Sequence, residues 1–486
     1  MELLFILGIP AVLAPASLLI RRRPSTVILN TIGYAGVLAA SCSLALRLQA
    51  GKPLSHGIFF ADALSAFFVF LIALISLVSM LYSAGYISAD VKSGAISGFE
   101  PRLYYGLFNL FTFTMLFTAL INNLGIVWVS IEMTTLVSAF LVGFYNKESS
   151  VEAAWKYIII CSVGISFALL GTILFYYAAS TQGGSKSLNW TDMIAVAPYL
   201  DPRMLKIAFI FILVGYGTKA GFAPMHTWLP DAHSQALSPI SALLSGVLLK
   251  TALYVILRYV VIVNTCMGPG FTGNLLLLFG VLSLLVSAGF ILVQRDIKRL
   301  LAYSSIEHMG VICIGLGIGG FLGLYAALFH MLNHAVTKSL MFFGAGSIAR
   351  KYNTHDLRAI SGVLQSMPFT GRCVLLGVFA LAGMPPFSIF MSEFLILTAG
   401  FTQGRYFASA VLLFVTALIF GALLLHFSRI LFGKKPVAMT VTGEDAGSVS
   451  AFIILALFII VLGAGMPLLI HKMLAAAALV VQGVIC

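Results

Sequence analysis

Residues 217–254 read GTKAGFAPMHTWLPDAHSQALSPISALLSGVLLKTALY, and this stretch indicates the fold. Lys219 and Lys250 each lie in an apolar run of helical length. Pro224 follows Lys219 by five residues, and a proline removes a backbone donor and interrupts the helical ladder. An ionisable side chain inside a membrane span costs about 2.5–3.5 kcal/mol, so it is kept only where it pairs or lines a wet path. The stretch therefore predicts a broken membrane helix followed by a second helix, each with a buried lysine.

The composition of the whole chain agrees with this interpretation. Hydrophobic residues make up 60% of the 486 residues and charged residues only 9%, against roughly 45–50% and about 25% in soluble domains. A soluble fold and a disordered chain are both excluded. One span needs roughly 20 apolar residues, so we expect a single all-α polytopic domain, residues 1–486, with no cleaved leader. Fourteen spans are predicted, at 3–20, 25–46, 61–87, 103–121, 123–145, 156–179, 205–224, 239–263, 274–293, 300–319, 321–348, 371–399, 406–431 and 449–472.

A second proline interruption suggests an internal repeat. The twelfth span reads LAGMPPFSIFMSEF, with Pro385 and Pro386 just before Glu393. The broken spans, the seventh and the twelfth, are five apart, and broken helices at matching positions of two halves are typical of inverted repeats. Spans 4–8 (residues 103–263) and spans 9–13 (residues 274–431) are the two predicted five-helix repeats.

The charges predict the orientation in the membrane. The net charge is +12, and most lysines and arginines fall in loops after odd-numbered spans. By the positive-inside rule these loops are cytoplasmic, and both termini lie outside a prokaryotic plasma (inner) membrane. The basic charge thus sets orientation, and we expect no nucleic-acid partner. The six cysteines show no metal-ligand spacing and no phosphate loop is present, so we expect no metal and no cofactor in this chain.

The candidate functional residues are the ionisable side chains inside the predicted spans. They are Glu132, Lys219, Lys250, His330, His334, Lys338 and Glu393. The i, i+4, i+8 spacing of His330, His334 and Lys338 places all three on one helical face. Desolvated lysines and histidines exchange protons near neutral pH, so the mixture indicates a proton relay.

Each of these residues also has a structural alternative. Glu132 and Lys219 could form an ion pair that holds two helices together, and Lys250 could be a ligand counter-ion or could join helices. His330 could be an interior histidine bonded to a carbonyl. Glu393 could pair with backbone groups that the prolines leave free.

Five further residues are possible sites of proton uptake: His226, Asp231, His233, Glu307 and His308. His226 and His233 flank HTWLPDAH at the predicted cytoplasmic end, where a structural loop role is the main alternative. Glu307 and His308 begin the tenth span close to Arg299, and we expect them to form a polar cluster that faces the surface.

The motifs identify a family resemblance. Residues 217–254 resemble the antiporter-like subunits of respiratory complex I, of Mrp-type cation/proton antiporters and of the membrane arms of group 4 [NiFe] hydrogenases. The segments QRDIKRLLAYSSIEHMG (294–310), FHMLNHAVTKSLMFFGAG (329–346) and GMPPFSIFMSEFLIL (383–397) extend the resemblance over roughly residues 100–400. The pair Glu307–His308, and a chain that ends soon after the fourteenth span, look most like the hydrogenase-4-type F subunit.

The resemblance implies a fourteen-helix fold with inverted five-helix repeats and no bound cofactor. By this resemblance, Glu132 corresponds to the family's glutamate in the fifth helix, and Lys219 to the lysine in the seventh helix that partners this glutamate. Lys250 corresponds to the family's central lysine in the eighth helix. The relay of the eleventh helix would be His330, His334 and Lys338, and the twelfth-helix residue at the exit would be Glu393.

The function expected from these observations is proton translocation by a non-catalytic subunit of a group 4 hydrogenase or a related complex. The path would run from Lys219 and Lys250 along His334, His330 and Lys338 to Glu393. The expected partners are membrane lipids, other antiporter-like and small membrane subunits, and a peripheral redox arm with iron–sulfur clusters and possibly a NiFe site. The alternatives within the family are a Mrp-type Na⁺/H⁺ antiporter subunit and a complex I subunit. An organic-solute transporter and an inactive scaffold are the alternatives outside it.

Overall fold

The computed structural model describes residues 2–49, 52–181, 184, 186–436, 439 and 445–484. Most of these residues are helical. The first ten helices are α1 (Glu2–Leu19), α2 (Arg23–Leu48), α3 (Ala63–Lys92), α4 (Glu100–Leu120), α5 (Leu124–Val142), α6 (Glu148–Thr181), α7 (Trp190–Val196), α8 (Pro202–Ala220), α9 (Trp228–Gln235) and α10 (Ser238–Leu243). The others are α11 (Leu249–Met267), α12 (Gly270–Val293), α13 (Ile297–Ile318), α14 (Gly320–Tyr352), α15 (Val363–Ser366), α16 (Pro368–Leu381), α17 (Ser388–Thr402), α18 (Tyr406–Phe432), α19 (Ala446–Ala464) and α20 (Leu468–Gln482).

Short irregular elements join some of these helices. A π-helical turn, Leu244–Leu248, links α10 to α11, and a 3₁₀ turn, Ala197–Tyr199, follows α7. Strands β1 (Leu54–His56) and β2 (Phe59–Ala61) form an antiparallel hairpin between α2 and α3. The sequence analysis did not foresee this hairpin, which lies in a loop between two predicted spans.

Eleven helices of the described chain are long and apolar enough to cross a membrane, with α10 and α11 counted as one. The prediction of an all-α polytopic membrane protein is confirmed at this level. Two further long helices, α8 and α14, fall outside this set because charged and polar side chains interrupt their apolar sequence. These two helices carry Lys219 and the row of His330, His334 and Lys338.

Both predicted proline interruptions are present. The seventh predicted span ends as helix α8 at Gly221, which has a φ of 77° and donates its N–H to carbonyls of the last turn. The chain resumes as α9 at Trp228, whose indole N–H donates to the carbonyl of Thr218 over 2.9 Å. The twelfth predicted span is likewise divided, between α16 and α17, by a turn at Gly383 with a φ of 73°. The free carbonyl near the first break thus finds a side-chain donor inside the protein.

The last predicted span differs from the structure. The sequence predicts a helix over 449–472, whereas α19 ends at Ala464 and α20 is a separate helix. Gly465 is extended, and Pro467 directly precedes α20, so the helical ladder cannot continue through this segment. Helix α20 packs against α3, α11 and α14 with its apolar face buried.

The basic loops meet at one end of the helix bundle, which we name the basic end. There Arg350 Nη2 donates to Asp90 Oδ1 over 2.7 Å, and Lys156 and Arg299 both contact Asp231. Asp296 caps α13 at the same end, where its carboxylate accepts the backbone N–H of Arg299 over 2.8 Å. Burial alone would raise the pKa of Asp296, but hydrogen bonds from His355 and from backbone N–H groups outweigh burial and lower it. We name the opposite end the distal end.

Helices α6 and α8 approach each other backbone to backbone. A Cβ atom on Gly215 would lie 2.5 Å from the backbone nitrogen of Ala168, and one on Gly171 would lie 2.9 Å from the carbonyl oxygen of Ala208. Small residues at such crossings let membrane helices pack closely. This contact fixes α6, which carries Tyr157, against α8, which carries Lys219.

We predict that Gly215→Ala destabilises the protein by about 1–3 kcal/mol, because the added methyl group overlaps the backbone of α6. Thermal melting of the detergent-solubilised chain measures the effect. The matched control is Gly421→Ala in α18, where a Cβ atom meets nothing within 4 Å and the melting temperature should hold or rise slightly. Equal melting temperatures for the two variants would contradict the close-packing argument.

Candidate functional site

Lys219 is held by hydroxyl groups. Its Nζ donates to Thr135 Oγ1 on α5 over 2.8 Å and to the hydroxyl of Tyr157 on α6. The ammonium also lies 4.6 Å from the centre of the Tyr157 ring, and the Tyr157 and Ser138 hydroxyls are 2.7 Å apart. Lys219 has no exposed surface. Two neutral hydroxyls and a ring face can accommodate the lysine whether it holds or releases a proton.

Glu132 lies one turn before Thr135 on α5, near Lys219 but not in contact with it. Its Oε1 accepts a hydrogen bond from Ser162 Oγ over 2.8 Å, and its Oε2 is buried without a hydrogen-bond partner. Within the described part of the chain, Glu132 makes no ion pair with Lys219 at 4.0 Å or less. The direct structural ion pair, one alternative drawn from the sequence, is therefore wrong for this conformation.

Lys250 joins α11 to α14. Its Nζ donates to the carbonyl oxygen of Ser245 over 2.6 Å and makes a short hydrogen bond with His334 Nδ1. Ser245 lies in the π-helical turn, a feature that occurs often at functional sites. Its hydroxyl lies 2.7 Å from that of Ser305 on α13. The π-helical turn thus provides a main-chain acceptor for a lysine that is completely buried.

Three histidines on α13 and α14 continue the row from Lys250 toward α17. The rings of His334 and His308 lie 4.8 Å apart. His308 Nδ1 and His330 Nε2 share a hydrogen bond of 3.0 Å, and His330 Nδ1 bonds to Ser392 Oγ over 2.9 Å. Glu393 is the next residue, and a carboxylate oxygen of Glu393 lies within 4.8 Å of a ring nitrogen of both His308 and His330. The row thus runs Lys250, His334, His308, His330, Ser392 and Glu393, fully buried as far as Ser392 and half-buried at Glu393.

The expectation that Glu307 and His308 face the surface is wrong. The two residues are 2% and 0% exposed, because α13 is enclosed by other helices around its whole circumference. Glu307 Oε2 lies 3.3 Å from His308 Nε2. His308 links His334 to His330 in the row. The sequence had suggested only a possible uptake role for it, outside the row.

Lys338 lies at the other end of the row from Glu393. It is two turns, about 12 Å, along α14 from His330, on the side of Arg350 and the basic end. Its Nζ donates to the carbonyl oxygen of Leu301 over 2.8 Å. The order predicted from the sequence, with Lys338 between His330 and Glu393, is therefore wrong.

A cavity of about 430 Å³ opens at the basic end. Residues around it include Asp90, Tyr145, Ser238, Lys298, Arg350 and His355. It reaches Ser234 and Ser238, which follow His233 directly and after five residues in the chain. His233 is fully buried, its ring is stacked on Phe342 with centres 5.0 Å apart, and neither ring nitrogen has a hydrogen-bond partner among the residues that the structure describes. Lys298 Nζ donates to the carbonyl of Ala236 over 2.8 Å.

The other two uptake candidates differ from His233. Asp231 is occupied by its contacts with Lys156 and Arg299 at the basic end. His226 is 6% exposed, and its ring centre lies 6.5 Å from that of Tyr303. Its Nδ1 has no hydrogen-bond partner within the described residues. The cavity and His233 therefore provide the better-defined approach to the row.

The fold and this row define a class: helical membrane proteins whose interior holds a line of ionisable side chains with a cavity at one end. Residues 121–421 match the family model described as the membrane part of NADH:quinone oxidoreductase and the Mrp antiporter. The chain belongs to this family and is an antiporter-like membrane subunit. It is 42% identical over 395 residues to the hydrogenase-4 component F homolog of Methylacidiphilum infernorum (isolate V4), covering 81% of this chain and 82% of the relative.

Two solved structures share the fold. A chain of the archaeal membrane-bound sulfane sulfur reductase superimposes with a TM-score of 0.87 at 23% identity, covering 100% of this chain and 99% of the other. A chain of the Mrp complex from Dietzia sp. DQ12-45-1b superimposes with a TM-score of 0.86 at 20% identity, with the same coverage. The expected family resemblance, including that to the hydrogenase-4 F subunit, is confirmed.

Proposed function

We propose that this chain carries protons across a prokaryotic plasma membrane as a subunit of a group 4 hydrogenase or a hydrogenase-related complex. The observation that carries the proposal is the row from Lys250 to Ser392, in which neighbouring members are hydrogen-bonded or in ring contact, with a Glu393 oxygen within 4.8 Å of His308 and His330 at its end. Ionisable groups inside a membrane protein are costly and mark ion paths. The name of the relative from Methylacidiphilum infernorum supports the hydrogenase assignment.

In this proposal a proton enters from the cytoplasm through the cavity at the basic end. Lys298 and His233 are the first groups it meets, and Lys338 and Lys250 follow. The proton then passes along His334, His308 and His330 and leaves beside Glu393. Histidines suit the middle of such a path because each ring can accept a proton on one nitrogen and release it from the other.

The Lys219 group has a coupling role in this proposal. Glu132 acts on Lys219 through its charge rather than by contact, so a movement of α5 or a change at a neighbouring subunit would alter how tightly Lys219 holds its proton. Within the described residues, no direct hydrogen bond joins Lys219 to the Lys250 row. We place ordered water in that gap.

The architecture proposed for this function is a fourteen-span bundle with two inverted repeats, residues 103–263 and 274–431. The breaks between α8 and α9 and between α16 and α17 would be equivalent positions of the two repeats. The basic end would be cytoplasmic and both termini external. Energy would come from a peripheral arm with iron–sulfur clusters and a [NiFe] or related site, which other subunits hold.

Purification of the native complex through a tag on this chain tests which member of the family it is. We expect nickel and iron in the complex and hydrogenase-type chains by mass spectrometry. Iron and flavin without nickel would indicate a complex I type of dehydrogenase. Small membrane partners without metal would indicate a Mrp-type Na⁺/H⁺ antiporter. Either of these results would overturn the hydrogenase assignment.

We predict that Lys219→Ala reduces proton translocation by the reconstituted complex by about tenfold or more, because a positioned proton-transfer group contributes at least that much. The pH change inside proteoliposomes, per electron transferred, measures the effect. The matched control is Lys156→Ala on α6, an exposed lysine at the basic end, which should pump like the unmodified complex. Intact pumping by Lys219→Ala would refute the coupling role. If Lys219→Ala leaves the number of protons pumped per electron unchanged but impairs assembly of the complex, the chain would instead be an inactive scaffold.

A further inference from the structure

His308, His330 and Glu393 belong to three helices, α13, α14 and α17, that meet inside the bundle. His308 Nδ1 and His330 Nε2 are 3.0 Å apart, and with a Glu393 oxygen they make a group in which one ligand atom from each residue lies within 4.8 Å of the others. Two donor atoms on one zinc ion, at about 2.1 Å each, lie roughly 3.4 Å apart in tetrahedral geometry. The two nitrogens already have nearly this separation, and rotation of the glutamate side chain supplies the third ligand.

From this arrangement we infer that His308, His330 and Glu393 form a binding site for a single zinc ion. Two imidazoles and one carboxylate are a ligand set that zinc takes in proteins, with the fourth position left to water. No sequence motif indicates this site, because its ligands are 22 and 63 residues apart in the chain. Metal-ligand motifs are recognised by short spacings within one segment.

The atoms behind the ligands support the same assignment. A histidine that binds a metal through one nitrogen is usually oriented by a carboxylate, carbonyl or hydroxyl at its other nitrogen. Here the other nitrogen of His330 bonds to Ser392 Oγ over 2.9 Å. The other nitrogen of His308 lies 3.3 Å from Glu307 Oε2, without a hydrogen bond between them in the described chain. The Ser392 hydroxyl thus holds the His330 ring with Nε2 toward His308, and a carboxylate lies behind the His308 ring.

The Glu393 carboxylate also suits a divalent cation. Glu393 brings one carboxylate to the ion and Glu307 lies beside His308, while Lys250 and Lys338 are the cations nearest to His308. Both histidines are fully buried, whereas Glu393 is partly exposed. Gly383, at the break before α17, leaves room for the carboxylate: a Cβ atom there would lie 2.5 Å from Glu393 Oε2. The absence of a side chain at Gly383 thus lets the Glu393 carboxylate lie against the break.

A bound ion would occupy nitrogens of the proposed proton path and stop transfer at this point. That consequence rests on the proposed function, but zinc binding itself does not. The test is therefore a binding measurement on the full chain in detergent, freed of metal, with zinc titrated against a chromophoric chelator. Cobalt serves as a second probe, because its visible absorption reports tetrahedral coordination.

We expect one zinc ion per chain, and a loss of affinity of about 100-fold or more in Glu393→Gln and in His330→Gln. Ser392→Ala, which removes only the orienting hydroxyl, should weaken binding by about tenfold. The control His471→Gln removes a histidine of α20 outside the group and should bind like the unmodified chain. Equal zinc affinity in the unmodified chain and both ligand variants would overturn the inference, as would a cobalt spectrum of octahedral type.

Discussion

Lys250→Met is expected to lower proton translocation by the intact complex by about 100-fold or more, which is the contribution of a positioned proton donor or acceptor. Lys250 is the residue through which the row begins, since its Nζ contacts both Ser245 and His334. Methionine has a similar length and fills the same space without exchanging a proton. Proton uptake by proteoliposomes, divided by electrons transferred, is the quantity to measure.

A second substitution separates proton exchange from a purely structural positive charge. Lys250→Arg keeps the charge, but an arginine does not release its proton in a protein. We expect it to pump as poorly as Lys250→Met, and a melting curve shows whether each variant is folded. Lys472→Met, which changes an exposed lysine of α20, is the control and should pump normally. Full activity of Lys250→Arg would show that the charge alone matters and would contradict the proposed path.

The local rules of the sequence were enough to place several parts of this site. Pro224 and the pair Pro385–Pro386 predicted both helix breaks, because a proline cannot continue the helical ladder wherever it occurs. The spacing of His330, His334 and Lys338 predicted one face of one helix, and this follows from helix geometry alone. These inferences depend on residues within one or two turns of each other.

The links between helices could not be obtained in this way. His308 belongs to the row because α13 turns it toward His330, and its own segment resembles a polar helix start near a basic loop. Likewise, the hydroxyl partners of Lys219 are Thr135 on α5 and Tyr157 on α6. Neither Thr135 nor Tyr157 stands in a motif that would mark it as a partner of a lysine. One signal was present: the run SSIEHMGVICIGLGIGG is rich in small residues, which is typical of a helix packed on all sides.

The position of Lys338 illustrates a different limitation. Helical spacing correctly predicted that Lys338 shares one face of α14 with His330 and His334. It did not predict in which direction along that face the proposed proton path runs. The direction follows only from knowing that Ser392 and Glu393 meet α14 near His330, a contact between segments 62 residues apart. Order along a path is thus a tertiary property, even where membership of the path is a local one.

Arg258→Ala is expected to destabilise the protein by about 3–5 kcal/mol, because it leaves Asp62 as an uncompensated buried charge. Arg258 donates through Nη2 to Asp62 Oδ1 and to Ser65 Oγ, over 2.8 Å each, and through Nε to the Tyr254 hydroxyl over 3.0 Å. Its guanidinium also lies 4.4 Å from the ring centre of Trp190. Thermal melting and the yield of folded chain from detergent extracts measure the loss.

The large effect follows from the position of the pair as well as from its charge. Asp62 caps α3 by accepting the backbone N–H of Ser65 over 2.9 Å, and Tyr254 donates to the carbonyl of Ala119 at the end of α4. The Trp190 indole donates to the carbonyl of Arg258 over 2.9 Å. The guanidinium therefore contacts α3, α7 and α11 directly and reaches α4 through the Tyr254 hydroxyl, so its loss should loosen the distal ends of these helices, although the bond from Trp190 to the main-chain carbonyl remains.

The double variant Asp62→Asn with Arg258→Met distinguishes the cost of an unpaired charge from the value of the pair itself. Asparagine keeps a good cap for α3, and methionine fills the space of the arginine stem without a charge. Replacing both charges of a buried pair is often nearly neutral, so the double variant should recover most of the stability that Arg258→Ala loses. Arg358→Ala, at an exposed loop pair with Asp356, should change the melting temperature little. If the double variant melts as low as Arg258→Ala, the hydrogen-bond network rather than charge compensation holds the distal end together.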